Sequence, residues 1–160
     1  MELLTRQTSW QSVYKNTELL IAFGGLPAFN SQISNGGTGA HIQRFAARKA
    51  AAAGTRFVNM SPRRSDLKND VPEDWLRMRP NTDVSVMLAM AHTLIVKRLH
   101  DVSFLERYTV GFDEFQAYLS GNTDGIPKTA EWAAAISGIA AADIISLANE
   151  MAKKRTMLSV

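Results

Sequence analysis

Two short apolar segments, separated by a helical one, constrain the fold of this chain most strongly. The segments Glu18–Phe23 and Thr55–Met60 have the length and composition of buried strands, and each is followed by residues that turn the chain. Between them, Thr38–Ala53 has the spacing of a helix. A strand, a helix and a second strand in this order predict a βαβ unit with two parallel strands. Open sheets of this kind bind ligands in the loops that follow the strands.

The rest of the chain is predicted to be mainly helical. The further elements are a helix at Trp10–Lys15 capped by Ser9, an edge strand at Asp74–Met78, helices at Thr82–Leu99 (with Thr82 as N-cap), Ser103–Tyr108, Phe112–Leu119, Thr129–Ile136 and Ala140–Lys153, and a buried final strand at Thr156–Val160. We therefore expect one α/β domain over residues 1–160. It is a three-layer, Rossmann-like fold with a mostly parallel sheet flanked by helices. Because no loop follows the last strand, we expect the chain to be a domain of something larger; the alternative is a small, complete Rossmann-like protein.

Composition excludes several classes of function. The chain has 160 residues, of which 46% are hydrophobic and 21% charged, as in a soluble globular domain. The net charge of +3 is too small to indicate a nucleic-acid partner. No apolar segment approaches the roughly 20 residues of a membrane span, so no membrane partner is predicted, and the compartment, cytoplasmic or periplasmic, stays open. The absence of cysteine excludes a disulfide framework, a thiolate metal site and a cysteine nucleophile within this chain.

Gly24 and Gly25 follow the first predicted strand, and Pro27 fixes the bend after them. Glycines at this point allow a ligand or another segment of backbone to approach closely. The alternative is a simple turn without a ligand. The pattern does not match the G-x-G-x-x-G fingerprint, so ordinary NAD binding is not supported.

The second predicted strand is followed by Ser61, Pro62, Arg63 and Arg64. A fixed guanidinium at the end of a strand can bind a ribose, a phosphate or a planar base. The alternative is a solvated arginine pair that faces the nearby Asp66 and Asp70.

Thr82 and Asp83 open the longest predicted helix. These residues can simply cap that helix. A carboxylate at Asp83 can also accept two N–H groups from the edge of a guanine. The three motifs together predict a nucleotide-binding site.

No catalytic or metal-binding residue is predicted. His92 lies in the apolar helix without a second ligand at metal-binding spacing, so we expect it to be a hydrogen-bonded packing residue. No Ser/His/Asp arrangement is supported.

An ordered series of segments resembles the molybdopterin oxidoreductases of the dimethyl sulfoxide reductase type, particularly the biotin sulfoxide and trimethylamine N-oxide reductases. The segments that carry this resemblance are Gln7–Trp10, Phe23–Pro27, Ser61–Arg64, Pro80–Ile95, Leu99–Asp101, Phe104–Asp113 and Gly125–Ala134. They extend from about residue 7 to the end of the chain, so the resemblance covers nearly all of it.

The resemblance implies one domain of a larger molybdenum enzyme, which helps to hold one of two molybdopterin guanine dinucleotides. The implied site residues are Gly24, Gly25 and Pro27 along the dinucleotide, Ser61, Pro62 and Arg63 near its nucleotide part, and Thr82 and Asp83 at the guanine. The partners implied are this cofactor and the remaining domains of the parent reductase. The family's metal ligand has no counterpart here, so the isolated chain is expected to be inactive and without cofactor.

Three positions depart from the pattern of the family. Leu26 stands where the family often has Asn or Asp, Ser61 where it has Asp, and Asn81 where it has Gly. Leu26 cannot replace the hydrogen bond of an amide or a carboxylate. The alternative function is therefore a noncatalytic α/β module for nucleotide binding or interaction, derived from such an enzyme.

Overall fold

The computed structural model describes residues 8–27, 33–34, 37–38, 41–67 and 71–160. The chain forms two compact units. The first, which we call the sheet unit, comprises Met1–Arg77 together with Lys154–Val160. The second, the helical unit, comprises Met78–Lys153.

The sheet unit contains a four-stranded, all-parallel sheet. Its elements are α1 (Trp10–Asn16), β1 (Leu19–Phe23), the short strands β2 (Ile33–Ser34) and β3 (Gly37–Thr38), α2 (Gln43–Ala52), β4 (Arg56–Met60), a single 3₁₀ turn (Arg64–Asp66), β5 (Asp74–Leu76) and, at the end of the chain, β6 (Thr156–Ser159). The strand order is β5-β4-β1-β6, and β2 pairs with β3 in a separate antiparallel ribbon. The predicted α/β class with a parallel sheet flanked by helices is confirmed.

β1 is a central strand, and all five of its residues are buried. This explains why its sequence is continuously apolar rather than alternating, as expected where both faces of a parallel strand are covered. β1 and β4 pair in a register that sets Phe23 opposite Met60. The two strands therefore end at the same level, and the loops that follow them start side by side.

Helices α1 and α2 pack against each other and against the sheet. The buried residues of this core are Val13, Leu20, Ala22, Ala47, Ala50, Phe57, Leu67 and Val71. The predicted N-cap of α1 is confirmed, because the hydroxyl of Ser9 accepts a hydrogen bond from the Ser12 N–H at 3.2 Å. Gly54, at φ 98°, ends α2 as predicted.

Two predicted details of the sheet unit are wrong. Thr38 belongs to β3 rather than to α2, and the backbone of His41, at φ 49°, is incompatible with a helix that runs through it. α2 therefore begins at Gln43. β6 is an edge strand rather than a buried one, since among the described strands it pairs with β1 alone and Leu158 is 50% exposed.

The helical unit consists of five helices: α3 (Asp83–Val96), α4 (Val102–Tyr108), α5 (Phe112–Leu119), α6 (Ala130–Ser137) and α7 (Ala141–Met151). α3 packs against α5, α6 and α7. Arg79 precedes α3 and donates to the carbonyls of Ala135 and Ile136, at 2.8 and 3.0 Å, at the end of α6. These bonds satisfy carbonyls that a helix C-terminus leaves without partners. None of the described helices is long and apolar enough to cross a membrane.

A buried lysine holds the segment between α5 and α6. Lys128 is 2% exposed, and its ammonium group donates to the Asp124 carboxylate and to the Ile126 carbonyl. The same group lies 4.4 Å from the ring centre of Tyr118 and 5.5 Å from that of Trp132. The hydrogen bond from Lys128 is the main cause that lowers the pKa of Asp124.

Candidate functional site

The loop after β1 is built on two glycines in the left-handed region. Gly24 has φ 81° and Gly25 has φ 79°, which L side chains rarely adopt. Gly24 is exposed, and a Cβ there would meet no atom of the described residues within 4 Å, so the backbone here is open toward the described part of the chain. Its N–H donates to the Met60 carbonyl at 2.9 Å and continues the β1–β4 ladder by one residue.

Gly25 is buried against the loop that follows β4. A Cβ on Gly25 would lie 2.5 Å from the Cβ of Asp66, a separation that real Cβ atoms essentially never show. The next residue, Leu26, donates its N–H to the Asp66 carbonyl at 3.1 Å. Gly25 therefore allows the two strand-end loops to come into direct contact. Pro27 is half-buried and follows immediately.

The loop after β4 is held by a buried serine. Ser61 is fully buried, and its hydroxyl donates to the Asp66 carboxylate at 2.7 Å while accepting the Arg63 N–H at 3.2 Å. Both functions of the hydroxyl are thus used within the loop. Ser61 closes the turn, and Pro62 and Arg63 lie exposed on it.

Arg63 presents its guanidinium to solvent. Its side chain is 69% exposed, with Nε 3.6 Å from the Asp66 carboxylate and one terminal nitrogen 3.4 Å from the Ser65 hydroxyl. Such an exposed ion pair contributes little to stability. Asp66 and Ser65 therefore hold one side of the Arg63 guanidinium, and its other N–H groups are available to a ligand.

Arg64 has a different environment from Arg63, because the two arginines contact different acidic residues. Its Nε lies 3.3 Å from the carboxylate of Glu73, a side chain that is only 3% exposed. The guanidinium also lies 6.0 Å from the ring centre of Trp75, whose indole N–H donates to the Ser61 carbonyl at 2.9 Å. Arg64 is thus held at the sheet edge by Glu73 and Trp75, although its side chain is 52% exposed. Asp70, the second acid expected near the pair, lies outside the described residues.

Asn59 is a further polar residue at this edge that the sequence reasoning did not single out. It is fully buried in β4, its amide N–H donates to the Arg64 carbonyl at 3.3 Å, and its Oδ1 has no hydrogen-bond partner among the described residues. Its only signal in the sequence is a polar residue between the apolar Val58 and Met60 of the strand.

The residues proposed for the guanine, Thr82 and Asp83, belong to the helical unit. Thr82 occupies the predicted N-cap position, but its hydroxyl donates to the Arg79 carbonyl at 2.6 Å instead of accepting from α3, so the predicted side-chain cap is wrong. The Thr82 carbonyl accepts the Ser85 hydroxyl and N–H, at 2.6 and 3.1 Å. Asp83 is half-buried, and its side chain forms no hydrogen bond or ion pair with any other described residue. Its carboxylate therefore keeps its acceptor positions.

Two of the family departures have a structural explanation. Asn81 has φ 61°, in the left-handed region where Gly is usual and Asn is tolerated, so it replaces a glycine without changing the turn. Leu26 packs against the core of the sheet unit, and its carbonyl accepts the Gln43 amide at 3.0 Å. Its side chain faces the core, where an amide or carboxylate would lose apolar contact.

His92 and the acidic side chains were the other candidates for a metal or catalytic site. His92 is half-buried in α3, and its imidazole forms no hydrogen bond with any described residue, so the expected packing residue lacks the expected side-chain bond. The pKa of Glu131, in the first turn of α6, is lowered mainly by the hydrogen bond from its own backbone N–H and then by that from the Thr129 hydroxyl. Within the described residues, no group of three or more His, Asp or Glu side chains is arranged to hold a metal ion.

Comparison with curated proteins shows clear similarity to three kinds of reductase. The chain is 38% identical over 159 residues to a trimethylamine-N-oxide reductase of Haemophilus influenzae, and 42% identical over 160 residues to a dimethyl sulfoxide/trimethylamine N-oxide reductase of Cereibacter sphaeroides. It is 37% identical over 149 residues to a biotin sulfoxide reductase of Cereibacter sphaeroides. These alignments cover 99%, 99% and 93% of this chain, but only 19%, 19% and 20% of the relatives. No protein-family profile matches the chain.

Among solved structures, the acetylene hydratase of Pelobacter acetylenicus has a similar fold. It superimposes with a TM-score of 0.70 at 22% identity, and the match covers 92% of this chain and 18% of the hydratase. At this identity the likeness concerns the fold alone. The chain therefore corresponds in both comparisons to about one fifth of a longer protein.

Proposed function

Because the chain belongs to the molybdopterin oxidoreductases of the dimethyl sulfoxide reductase type, we propose that it contributes part of one molybdopterin guanine dinucleotide site in a larger S-oxide or N-oxide reductase. The chain spans about a fifth of the length of its curated relatives. The remaining domains of the parent reductase are thus its expected partners.

The observation that carries this proposal is the meeting of two loops at the ends of β1 and β4. Gly24 offers open backbone, and Arg63 offers an exposed guanidinium, on loops joined through Asp66. In open parallel sheets, ligands bind outside the carboxyl ends of the strands. The position and chemistry of these loops support binding of an anionic nucleotide.

The described residues fit such a ligand in a specific way. The N–H groups of Gly24 and Leu26 already bond to the Met60 and Asp66 carbonyls, so they do not serve as phosphate donors. The role proposed for Gly24 and Gly25 is therefore close approach of the cofactor to bare backbone. The charge complement to the nucleotide comes from Arg63, whose planar guanidinium suits phosphate oxygens. Ser61 and Pro62 shape the turn that carries it.

Asp83 is proposed to recognise the guanine. A carboxylate accepts but does not donate, whereas the Watson–Crick edge of guanine carries two adjacent N–H donors. The Asp83 carboxylate has no partner within the described part of the chain, and Thr82 fixes the turn before it through the Arg79 carbonyl. This arrangement favours guanine over adenine, which lacks this donor pair.

The cofactor, when bound in the complete enzyme, supplies the two-electron chemistry by which oxygen is removed from an S-oxide or N-oxide at molybdenum. This chain binds and orients the nucleotide end of that cofactor. None of its described residues is assigned as a metal ligand or a catalytic group. The isolated chain is accordingly expected to reduce no substrate.

A second candidate function is a noncatalytic nucleotide-binding or interaction module. Two observations favour it: Leu26 packs into the core, and the Ser61 hydroxyl is used entirely within its own loop. Neither side chain is free to replace the polar groups of the family. This alternative predicts that the chain folds but does not hold the molybdopterin cofactor, even when it is placed in a complete reductase.

A chimeric enzyme separates the two functions. We would replace the corresponding region of the Cereibacter sphaeroides dimethyl sulfoxide/trimethylamine N-oxide reductase, which is 42% identical, with this chain. The proposal predicts a chimera that retains molybdenum and reduces trimethylamine N-oxide, and that loses metal when Arg63→Ala and Asp83→Asn are combined. A stable, folded chimera without molybdenum would support the noncatalytic module instead.

A further inference from the structure

Asp66 joins the two loops of the sheet-unit site and has no role in the function proposed above. Its carbonyl accepts the Leu26 N–H at 3.1 Å, and its Cβ lies against Gly25. Its carboxylate accepts the Ser61 hydroxyl at 2.7 Å. An acidic side chain thus lies against Gly25 and beside the exposed guanidinium of Arg63.

The carboxylate of Asp66 retains acceptor capacity. An ionised carboxylate has about four acceptor positions on its two oxygens. Oδ2 accepts from Ser61, and Oδ1 lies 3.6 Å from Nε of Arg63. The side chain is 13% exposed, so a part of it is accessible to solvent.

The place of this carboxylate matches a known requirement of nucleotide-binding βαβ units. In such units an acidic residue near the end of the second strand accepts a hydroxyl of the ribose. Here the second strand is β4, and the residue directly after it is Ser61 rather than an acid. The 3₁₀ turn Arg64–Asp66 folds the chain back, so that the Asp66 carboxylate reaches hydrogen-bond distance of Ser61.

We infer that Asp66 is a ribose-binding residue of this site and that Ser61 is its positioning residue. The carboxylate accepts a ribose hydroxyl of the guanosine, while the Ser61 hydroxyl and the Arg63 guanidinium hold it in place. The inference rests on the proposed binding of a guanine nucleotide. It adds a requirement for the ribose hydroxyls, which Arg63 and Asp83 do not impose.

The test compares GDP with 2′,3′-dideoxy-GDP, which lacks both free ribose hydroxyls. Dissociation constants are measured by amide NMR titration for the wild type, Ser61→Ala and the double variant Ser61→Ala/Asp66→Ala. Asp66→Ala alone would leave the buried Ser61 hydroxyl without its acceptor, and the double variant avoids this. Asp74→Asn is the control, since Asp74 also pairs with an arginine of the sheet unit, Arg56 at 2.7 Å, but has no place in the site.

The wild type and Asp74→Asn are expected to bind GDP about tenfold or more tightly than the dideoxy nucleotide, as for a hydrogen bond to a charged acceptor. In the double variant this preference is expected to fall to about twofold or less, whereas general loosening of the loop would weaken both nucleotides equally. Ser61→Ala is expected to give an intermediate preference. If either of these two variants gives dispersed amide spectra and keeps the wild-type preference for GDP over the dideoxy nucleotide, the inference is overturned. Failure of the wild type to bind GDP contradicts the proposed function as well.

Discussion

Gly25 and Asp66 are packed so closely that a Cβ on Gly25 would lie 2.5 Å from the Cβ of Asp66. This contact joins the loops after β1 and β4, which the β1–β4 register brings to the same level. The site proposed here thus depends on a glycine for two separate reasons: its backbone conformation and the space beside it.

The first prediction compares the two glycines of this loop. Gly25→Ala is expected to lower the free energy of unfolding by about 2–4 kcal/mol, because strain at positive φ adds to a steric overlap with Asp66. Gly24→Ala has the same strain at φ 81° but open space, so about 1–2 kcal/mol is expected. Urea denaturation of both variants measures the difference. Equal losses would show that the contact with Asp66 does not constrain the loop.

The second prediction separates the two arginines after β4. Arg63→Ala is expected to weaken GDP binding about tenfold and to change stability by less than about 0.5 kcal/mol, because its side chain is 69% exposed. Arg64→Ala is expected to leave GDP affinity within about twofold of the wild type but to lower stability by about 1–3 kcal/mol, since it removes the described partner of the buried Glu73. Calorimetric titration and urea denaturation test both. The reverse assignment of effects would refute the proposed role of Arg63.

The third prediction concerns guanine recognition by Asp83. Asp83→Asn is expected to weaken the binding of GDP about tenfold and the binding of inosine diphosphate less. Inosine lacks the 2-amino group from which the carboxylate would accept a hydrogen bond. Asp143→Asn is the matched control, an exposed carboxylate in the first turn of α7. Both substitutions lose a similar helix-dipole interaction of about 0.3–1 kcal/mol. A ratio of GDP to inosine diphosphate affinity that does not change in Asp83→Asn would exclude the guanine contact.

The fourth prediction concerns the buried lysine of the helical unit. Lys128→Met is expected to lower the free energy of unfolding by about 2 kcal/mol, because it removes the hydrogen bond to the Ile126 carbonyl and the contacts with two aromatic rings. Lys97→Met, which removes an exposed hydrogen bond to Asn149, is the control and should have little effect.

The same pair predicts a dependence on pH. Lys128 holds the pKa of Asp124 below its ordinary value of 3.8. A carboxyl with a lowered pKa in the folded state stabilises that state above its ordinary pKa, and this contribution is lost as the pH falls through the lowered value. The difference in urea midpoint between wild type and Lys128→Met is therefore expected to shrink from pH 5 to below about pH 3. A difference that stays constant over this range would show that the ion pair contributes nothing.

Local signals explain why most of the fold was predicted from the sequence. β1 and β4 were placed to within one residue, because an apolar segment followed by Gly24 or by Ser61-Pro62 marks the end of a strand. Burial at the sheet edge does not depend on local sequence. Met157 and Leu158 favour a buried strand, but among the described strands only β1 pairs with β6. The start of α2 was placed too early because the β2–β3 pairing of Thr38 competes with helix formation.

The site was predicted less completely, since its details depend on contacts between segments. The different roles of Arg63 and Arg64 follow from Glu73 and Trp75, which lie beyond the loop in the sequence. The orientation of the Thr82 hydroxyl depends on the Arg79 carbonyl rather than on its own helix. The role inferred for Asp66 arises from the 3₁₀ turn, which no residue spacing indicated.

The central claim is that this chain carries part of a guanine-nucleotide site, and an amide NMR titration of the 160-residue chain with GDP tests it most directly. The account predicts localised, saturable shifts at Gly24, Arg63 and Asp83, much weaker shifts with ADP, and loss of the shifts in Arg63→Ala. A well-dispersed spectrum that GDP leaves unchanged, or shifts that GDP and ADP cause equally, would contradict it.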